Sequence, residues 1–132
     1  MKTNELKRVL SLLAVVAIVA TFCSCNKMKN RLVGEWKCAS VFMYEGEQSV
    51  DLTSTYEGDV WAFRSDDTYY LNGNYEGDYS VNAGYVYITF KNQDFISYEI
   101  FRLDNSQLEL NRLEFREDPL EDRFWVMSFT RN

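Results

Sequence analysis

From Gly34 onward, apolar and polar residues alternate in short runs broken by turn residues, the period of strands buried on one face. The first run, 34–43, sets Trp36, Cys38, Ser40 and Phe42 against Lys37, Ala39, Val41 and Met43. Further strands are expected over 59–64, 68–72, 75–81, 85–90, 95–103, 107–115 and 123–131. Turns rich in Asp, Asn, Ser and Gly separate them: Ser65-Asp66-Asp67, Gly73-Asn74, Asn82-Ala83-Gly84, Asp104-Asn105-Ser106 and an acidic loop over 117–122. Residues 44–58 follow neither period well and read as a long connection or a weak hairpin. Ile96, Tyr98 and Ile100 share one face, as do Leu108 and Leu110. Leu113 and Phe115 fall on the opposite phase, which predicts a bulge near Asn111-Arg112.

Eight short strands joined by tight turns make an up-and-down antiparallel meander. A meander has two open edges, and closure into a barrel removes both. The expected class is therefore all-β: an eight-stranded antiparallel barrel over 32–132, preceded by an N-terminal signal helix. Eight strands enclose just enough space for side-chain filling or one small ligand. Closure lays the last strand beside the first and brings Arg131 close to Trp36. A guanidinium within ~6 Å of an indole contributes about 0.5–2 kcal/mol there. Gly34, Trp36 and Arg131 are thus expected to close the barrel floor.

The start of the chain has another pattern. Lys2, Lys7 and Arg8 precede an apolar run over 9–20, followed by Phe22-Cys23-Ser24-Cys25 and then polar Asn26-Lys27. A run this long falls short of the roughly 20 residues needed to span a bilayer, and small residues lie before the break. The segment resembles the signal peptides of bacterial lipoproteins, in which a small residue precedes the cysteine that becomes the acylated N-terminus. Ser24 before Cys25 fits; Phe22 before Cys23 does not. The resemblance implies a signal peptide over 1–24, a lipid on Cys25 and a tether over 25–31. A triacylated cysteine would hold the body to a membrane surface, since two or more chains anchor firmly. Lys27 and Lys29 follow the cysteine where an acidic run would favour surface export. The expected address is the cell envelope, at the outer membrane facing the periplasm.

Composition narrows the chemistry. The chain carries a net charge of −6, and removal of residues 1–25 leaves 11 basic and 19 acidic groups, a net −8. That balance repels nucleic acid and anionic headgroups. There is no histidine, which removes the commonest general base and most zinc and haem sites. Cys23 would leave with the signal and Cys25 would be blocked, so Cys38 is expected to be a buried small hydrophobe. Tyr-Glu-Gly followed by an acid occurs at Tyr44, Tyr56 and Tyr75, but two acids apiece suit turns better than a calcium loop. Asp66-Asp67 sit on a turn, where neighbouring side chains diverge. No enzymatic activity, cofactor or metal is expected, and the body is expected to be a monomer. Aromatics make up 16% of the chain, and tyrosines crowd its middle. They suit a cavity wall that stacks on flat or apolar ligands, although a small barrel also needs aromatic filling.

Gly34-Glu35-Trp36 looks like the Gly-x-Trp signature of lipocalin-like barrels. Trp61-Ala62-Phe63, then Asp66-Asp67-Thr68-Tyr69, and finally Phe129-Thr130-Arg131 occur in the order found in small bacterial lipoproteins with a lipocalin-like domain. The resemblance spans Leu32 to Arg131 and implies a lipocalin-like barrel. A small, partly apolar or aromatic ligand would be buried against Trp61, Phe63, Tyr69, Tyr79, Tyr87 and Tyr98, without chemistry. The alternative is an interaction module with a filled barrel, whose outer face or loops dock a protein or an envelope polysaccharide. A cavity of a few hundred Å3 separates the two.

Overall fold

The computed structural model describes residues 26–132. The export segment and Cys25 lie outside them. Nine strands follow one another: β1 (Gly34–Glu45), β2 (Gln48–Asp51), β3 (Val60–Phe63), β4 (Thr68–Leu71), β5 (Asn74–Asn82), β6 (Tyr85–Phe90), β7 (Phe95–Leu103), β8 (Gln107–Glu114) and β9 (Arg123–Arg131). Consecutive strands from β3 to β9 pair antiparallel, β3 returns to β1, and β1 pairs with β9. The result is a closed eight-stranded antiparallel barrel with β2 added outside the ring.

Closure runs along almost the whole of β1, from Trp36 opposite Arg131 to Glu45 opposite Arg123. The register slips once, between Cys38 and Ser40. This bulge moves the inward phase from Trp36 and Cys38 to Val41, all three buried. The unbroken alternation through Ser40 and Phe42 expected from sequence is therefore wrong beyond Cys38. The bulge expected near Asn111-Arg112 is also absent, since β8 and β9 stay in register from Gln107 to Glu114. Leu113 and Phe115 simply face outward, at 50% and 77% exposure. The break in that region lies on β7, between Ile100 and Arg102.

Residues 44–58 contain a hairpin and one helical turn. The upper end of β1 pairs with β2, from Phe42 opposite Asp51 to Glu45 opposite Gln48, while its lower end pairs with β3. A single turn of helix, Thr53–Tyr56, fills the gap where β1 leaves β3. Backbone donors and acceptors bridge that gap: Leu52 N donates to Val41 O at 2.8 Å, and Cys38 N to Asp59 O at 2.8 Å. Leu52 and Tyr56 pack against the core from this turn.

Residues 26–32, which take in all but the first residue of the tether expected over 25–31, are helical. Their one fully buried residue is Leu32, and Lys29 forms a salt bridge with Asp67 in the β3–β4 turn. The helix lies across one end of the barrel and closes it. The core within is apolar and aromatic, with Trp36, Phe63, Phe129, Leu32, Ile88, Leu108 and Leu110 its largest fully buried side chains. Gly77 permits close packing of β5 on β6, because a Cβ there would meet Thr89 O at 2.1 Å.

Candidate functional site

At the closed end the last strand locks the first turn of chain in place. The Arg131 guanidinium lies 3.9 Å from the centroid of the Trp36 ring. Its Nη1 donates to Val33 O at 2.9 Å, Nη2 to Arg31 O at 2.9 Å and Nε to Asn105 O at 3.2 Å. Trp36 Nε1 donates to Leu32 O at 2.8 Å. Arg131 Nη1 and Nη2 and Trp36 Nε1 thus satisfy carbonyls at and just after the end of the helix over 26–32, which have no partner within a helix. Gly34 sits beneath the guanidinium, with φ of 137°, and a Cβ there would come within 2.4 Å of Arg131 Nη1. Nearby, Cys38 is 2% exposed. Burial and then the negative charge of Asp59 push its thiol up to about 11, which keeps it inert at neutral pH.

The middle of the barrel is packed with rings. Trp61 lies 4.9 Å from Phe129, 5.6 Å from Tyr69 and 5.6 Å from Tyr98, centroid to centroid. Phe63 packs at 5.5 Å on Tyr69 and 5.0 Å on Tyr79. The Tyr79 hydroxyl donates to Arg64 O at 2.7 Å. Phe63, Tyr69 and Tyr79 therefore fill the core below Trp61. Tyr87 does not join them. On β6 the buried residues are Val86 and Ile88, so Tyr87 faces outward, stacked at 5.7 Å on Phe95. Its assignment to the interior fails because strand parity, not aromatic character, decides which side a residue faces.

The opposite end is open. A cavity of about 400 Å3 lies there, lined by Tyr56, Asp59, Trp61, Leu71, Tyr98, Arg112, Glu114, Arg123, Trp125 and Met127. Trp61 and Tyr98 form part of its apolar wall, with Leu71 and Met127. Of the expected ligand residues, these two reach the cavity. Asp59 precedes β3, and the other charged members come from β8 and β9, above the packed layer of Leu108, Leu110 and Phe129. They follow the inward phase: Leu108, Leu110, Arg112, Glu114 on one strand and Phe129, Met127, Trp125, Arg123 on the other, with Arg112 opposite Trp125 and Glu114 opposite Arg123. The sequence reading missed them because it followed apolar residues and stopped where polar ones took over. Extending the same parity by two positions would have found both arginines.

The mouth is electrostatically structured. Glu114 accepts from Trp125 Nε1 at 2.9 Å and lies 3.2 Å from Arg116. That hydrogen bond, followed by the nearby arginines, holds its carboxyl below the usual range, so it is ionised. Asp59 accepts from Asn72 Nδ2 at 3.1 Å. Arg123 Nε lies 3.4 Å from Glu45, an ion pair, but is buried without a hydrogen-bond partner among the described residues. Tyr98 is 8% exposed, and burial pushes its hydroxyl up to about 12 against the opposing influence of Arg112.

The outer face of β6 to β9 is apolar in patches. Phe95, Phe101, Leu113 and Phe115 are each at least half exposed. A surface hollow of about 420 Å3 lies among Tyr85, Leu113, Phe115 and Phe124. The buried Oδ1 of Asn111 lines it without a hydrogen-bond partner.

Comparison with protein families gives one match, to a lipocalin-like domain over residues 32–110. No curated protein matches the chain.

Proposed function

The chain belongs to the lipocalin-like domain family, and on that footing we propose that its barrel binds a small, partly apolar molecule at its open end, without chemistry, while an acylated Cys25 holds it to a membrane. The observation that carries this reading is the cavity of about 400 Å3 above a packed aromatic floor. Its size lies within the ~300–1,000 Å3 typical of ligand pockets, and its apolar wall with a few placed polar groups is the usual composition. A filled barrel would have favoured an interaction module.

Membrane attachment rests on the export segment and Ser24-Cys25. The helix over 26–32 packs at the closed end, so a lipid on Cys25 would turn that end toward the membrane and the mouth away from it. The address proposed is the periplasmic face of the outer membrane.

Two experiments test the reading. Native mass spectrometry of the full chain, released gently from detergent, is expected to show a small molecule retained by the protein. Its absence across purification conditions, with no uptake from a panel of apolar compounds, would overturn ligand binding. Labelled palmitate is expected to be incorporated by the wild type and by Cys23→Ser but not by Cys25→Ser. Incorporation into Cys25→Ser would overturn the anchor.

A second reading has its own observation. The apolar outer face and the unpartnered Asn111 Oδ1 suit contact with another macromolecule. Under that reading Phe115→Ser would abolish partner capture and leave small-molecule uptake intact.

A further inference from the structure

On the outside of the barrel one buried polar side chain is left unanswered. Among the described residues Asn111 is the only buried polar residue, at 8% exposure, and its Oδ1 has no hydrogen-bond partner. It lines the hollow of about 420 Å3 on the outer face of β6 to β9. Its nearest neighbours on that face explain the missing bond. Glu99 and Val126 stand opposite it on the flanking strands, and Glu109 and Leu113 stand two residues away along β8. Two carboxylates and two apolar side chains offer no donor. A buried acceptor without a donor destabilises a fold, and a leucine at this position would avoid that. The donor that Asn111 lacks has to come from outside the chain.

Rings surround the site. Tyr85 stands opposite Glu99 and Phe124 opposite Leu113, and Phe115 lines the hollow with them. Phe95, Phe101 and Phe115 carry the apolar surface further, at 64%, 66% and 77% exposure. The outward positions of the adjoining β5 are Asp78, Ser80 and Asn82, so the patch has a polar border. Its spread exceeds the hollow and fits a protein surface. Resting on the second reading above, we propose that this face receives a protein segment that inserts an arginine into the hollow and covers the phenylalanines with apolar residues. The guanidinium donates to Asn111 Oδ1 and to the Glu99 carboxylate and stacks on a ring beside them. The terminal torsion of an asparagine is broad, so the oxygen can turn toward a donor that enters. The fold uses the same stacking elsewhere, with Arg64 3.6 Å from the Tyr70 centroid and Arg131 3.9 Å from that of Trp36. Charge favours a basic partner, because Glu99 and Glu109 flank Asn111. A second copy of this chain would bring a further Glu99 and Glu109 to the same face.

The test is NMR titration of the full chain, anchored in lipid nanodiscs, read at the Asn111 side-chain amide and the backbone amides of Glu99 and Leu113. The probes are the peptide acetyl-Leu-Arg-Leu-amide and its counterparts with lysine or citrulline at the centre; citrulline keeps the shape of arginine without its charge. The arginine peptide is expected to bind at least ~10-fold more tightly than the citrulline peptide, the yield of one charge-assisted hydrogen-bonded pair. The lysine peptide is expected to fall between them, since an ammonium cannot fork or stack as a guanidinium does. Glu99→Gln is expected to bring the arginine and citrulline peptides within about 2-fold of each other. Asn111→Leu is expected to weaken the arginine peptide about 10-fold and to melt at the wild-type temperature or above it, because an unpaired buried acceptor is gone.

Equal wild-type affinities for the arginine and citrulline peptides would overturn the inference, as would Asn111→Leu binding the arginine peptide as the wild type does. A lower melting temperature for Asn111→Leu would make Asn111 structural and overturn it too. Sedimentation showing a dimer that Phe115→Ser abolishes would make a second copy the occupant instead. Partner capture that depends on Phe115 but survives both Asn111→Leu and Glu99→Gln would overturn the arginine and leave the outer-face reading standing. The cavity at the open end is tested separately by the retained small molecule.

Discussion

At the closed end of the barrel Arg131 commits all three nitrogens to backbone carbonyls and lies 3.9 Å over Trp36. At the open end Arg112 stands opposite Trp125 with no hydrogen bond among the described residues. The two tyrosines repeat the contrast. Tyr79 donates to Arg64 O at 2.7 Å; the Tyr98 hydroxyl has no such partner among the described residues. Both ends use arginine and aromatic rings, so residue type does not separate structure from function. What separates them is satisfaction: a donor with every bond made holds the fold, and a donor at the open cavity with none made within the protein is free to meet solvent or a ligand.

The strongest way to break that comparison is to remove each arginine in turn. Arg131→Ala deletes three charge-assisted hydrogen bonds and a cation–π contact, and leaves carbonyls at the helix end without donors. A loss of about 3 kcal/mol is expected in urea denaturation. Arg112→Gln is expected to change stability by less than about 0.5 kcal/mol, since no hydrogen bond or salt bridge among the described residues is lost. Comparable losses would mean that Arg112 is structural after all. Gly34→Ala comes next. Its φ of 137° and the 2.4 Å approach to Arg131 Nη1 should cost about 1–3 kcal/mol. If the comparison holds, the folded fraction keeps wild-type ligand affinity, because the cavity lies at the other end.

The barrel itself was legible because its signal repeats: eight runs of period two with turns between them, and a first and last strand that closure must bring together. Three features carried little signal. All four residues of β2 are exposed, so it has no alternation to read. The helix over 26–32 buries only Leu32 fully, too little for a helical period. The bulge after Cys38 falls among Ala39, Ser40 and Val41, whose small or branched side chains suit either face. The site was half legible for a different reason. Trp61 and Tyr98 stood out as aromatics, whereas Arg112 and Arg123 looked like solvated charges until the inward phase of β8 and β9 was carried through them. Tyr87 erred in the other direction, counted by type and placed outside by parity.

The smallest effects sharpen the comparison most finely, because the two tyrosines differ by a single hydrogen bond. Tyr79→Phe is expected to cost about 1 kcal/mol at neutral pH, and Tyr98→Phe close to nothing. At alkaline pH both substitutions should become less costly in parallel. Burial pushes both hydroxyls up to about 12 from an ordinary value of 10.0. Between these values the unfolded chain has released protons that the folded chain still holds, so each tyrosine makes stability fall as pH rises from about 10 to 12. Either Phe substitution should flatten that fall, measured as urea midpoints across the alkaline range. Tyr98 has one further handle. Arg112 favours its ionised form, so Arg112→Gln should move its titration upward, followed by tyrosinate absorbance, and leave Tyr79 unchanged. An unmoved Tyr98 would place the guanidinium away from the hydroxyl.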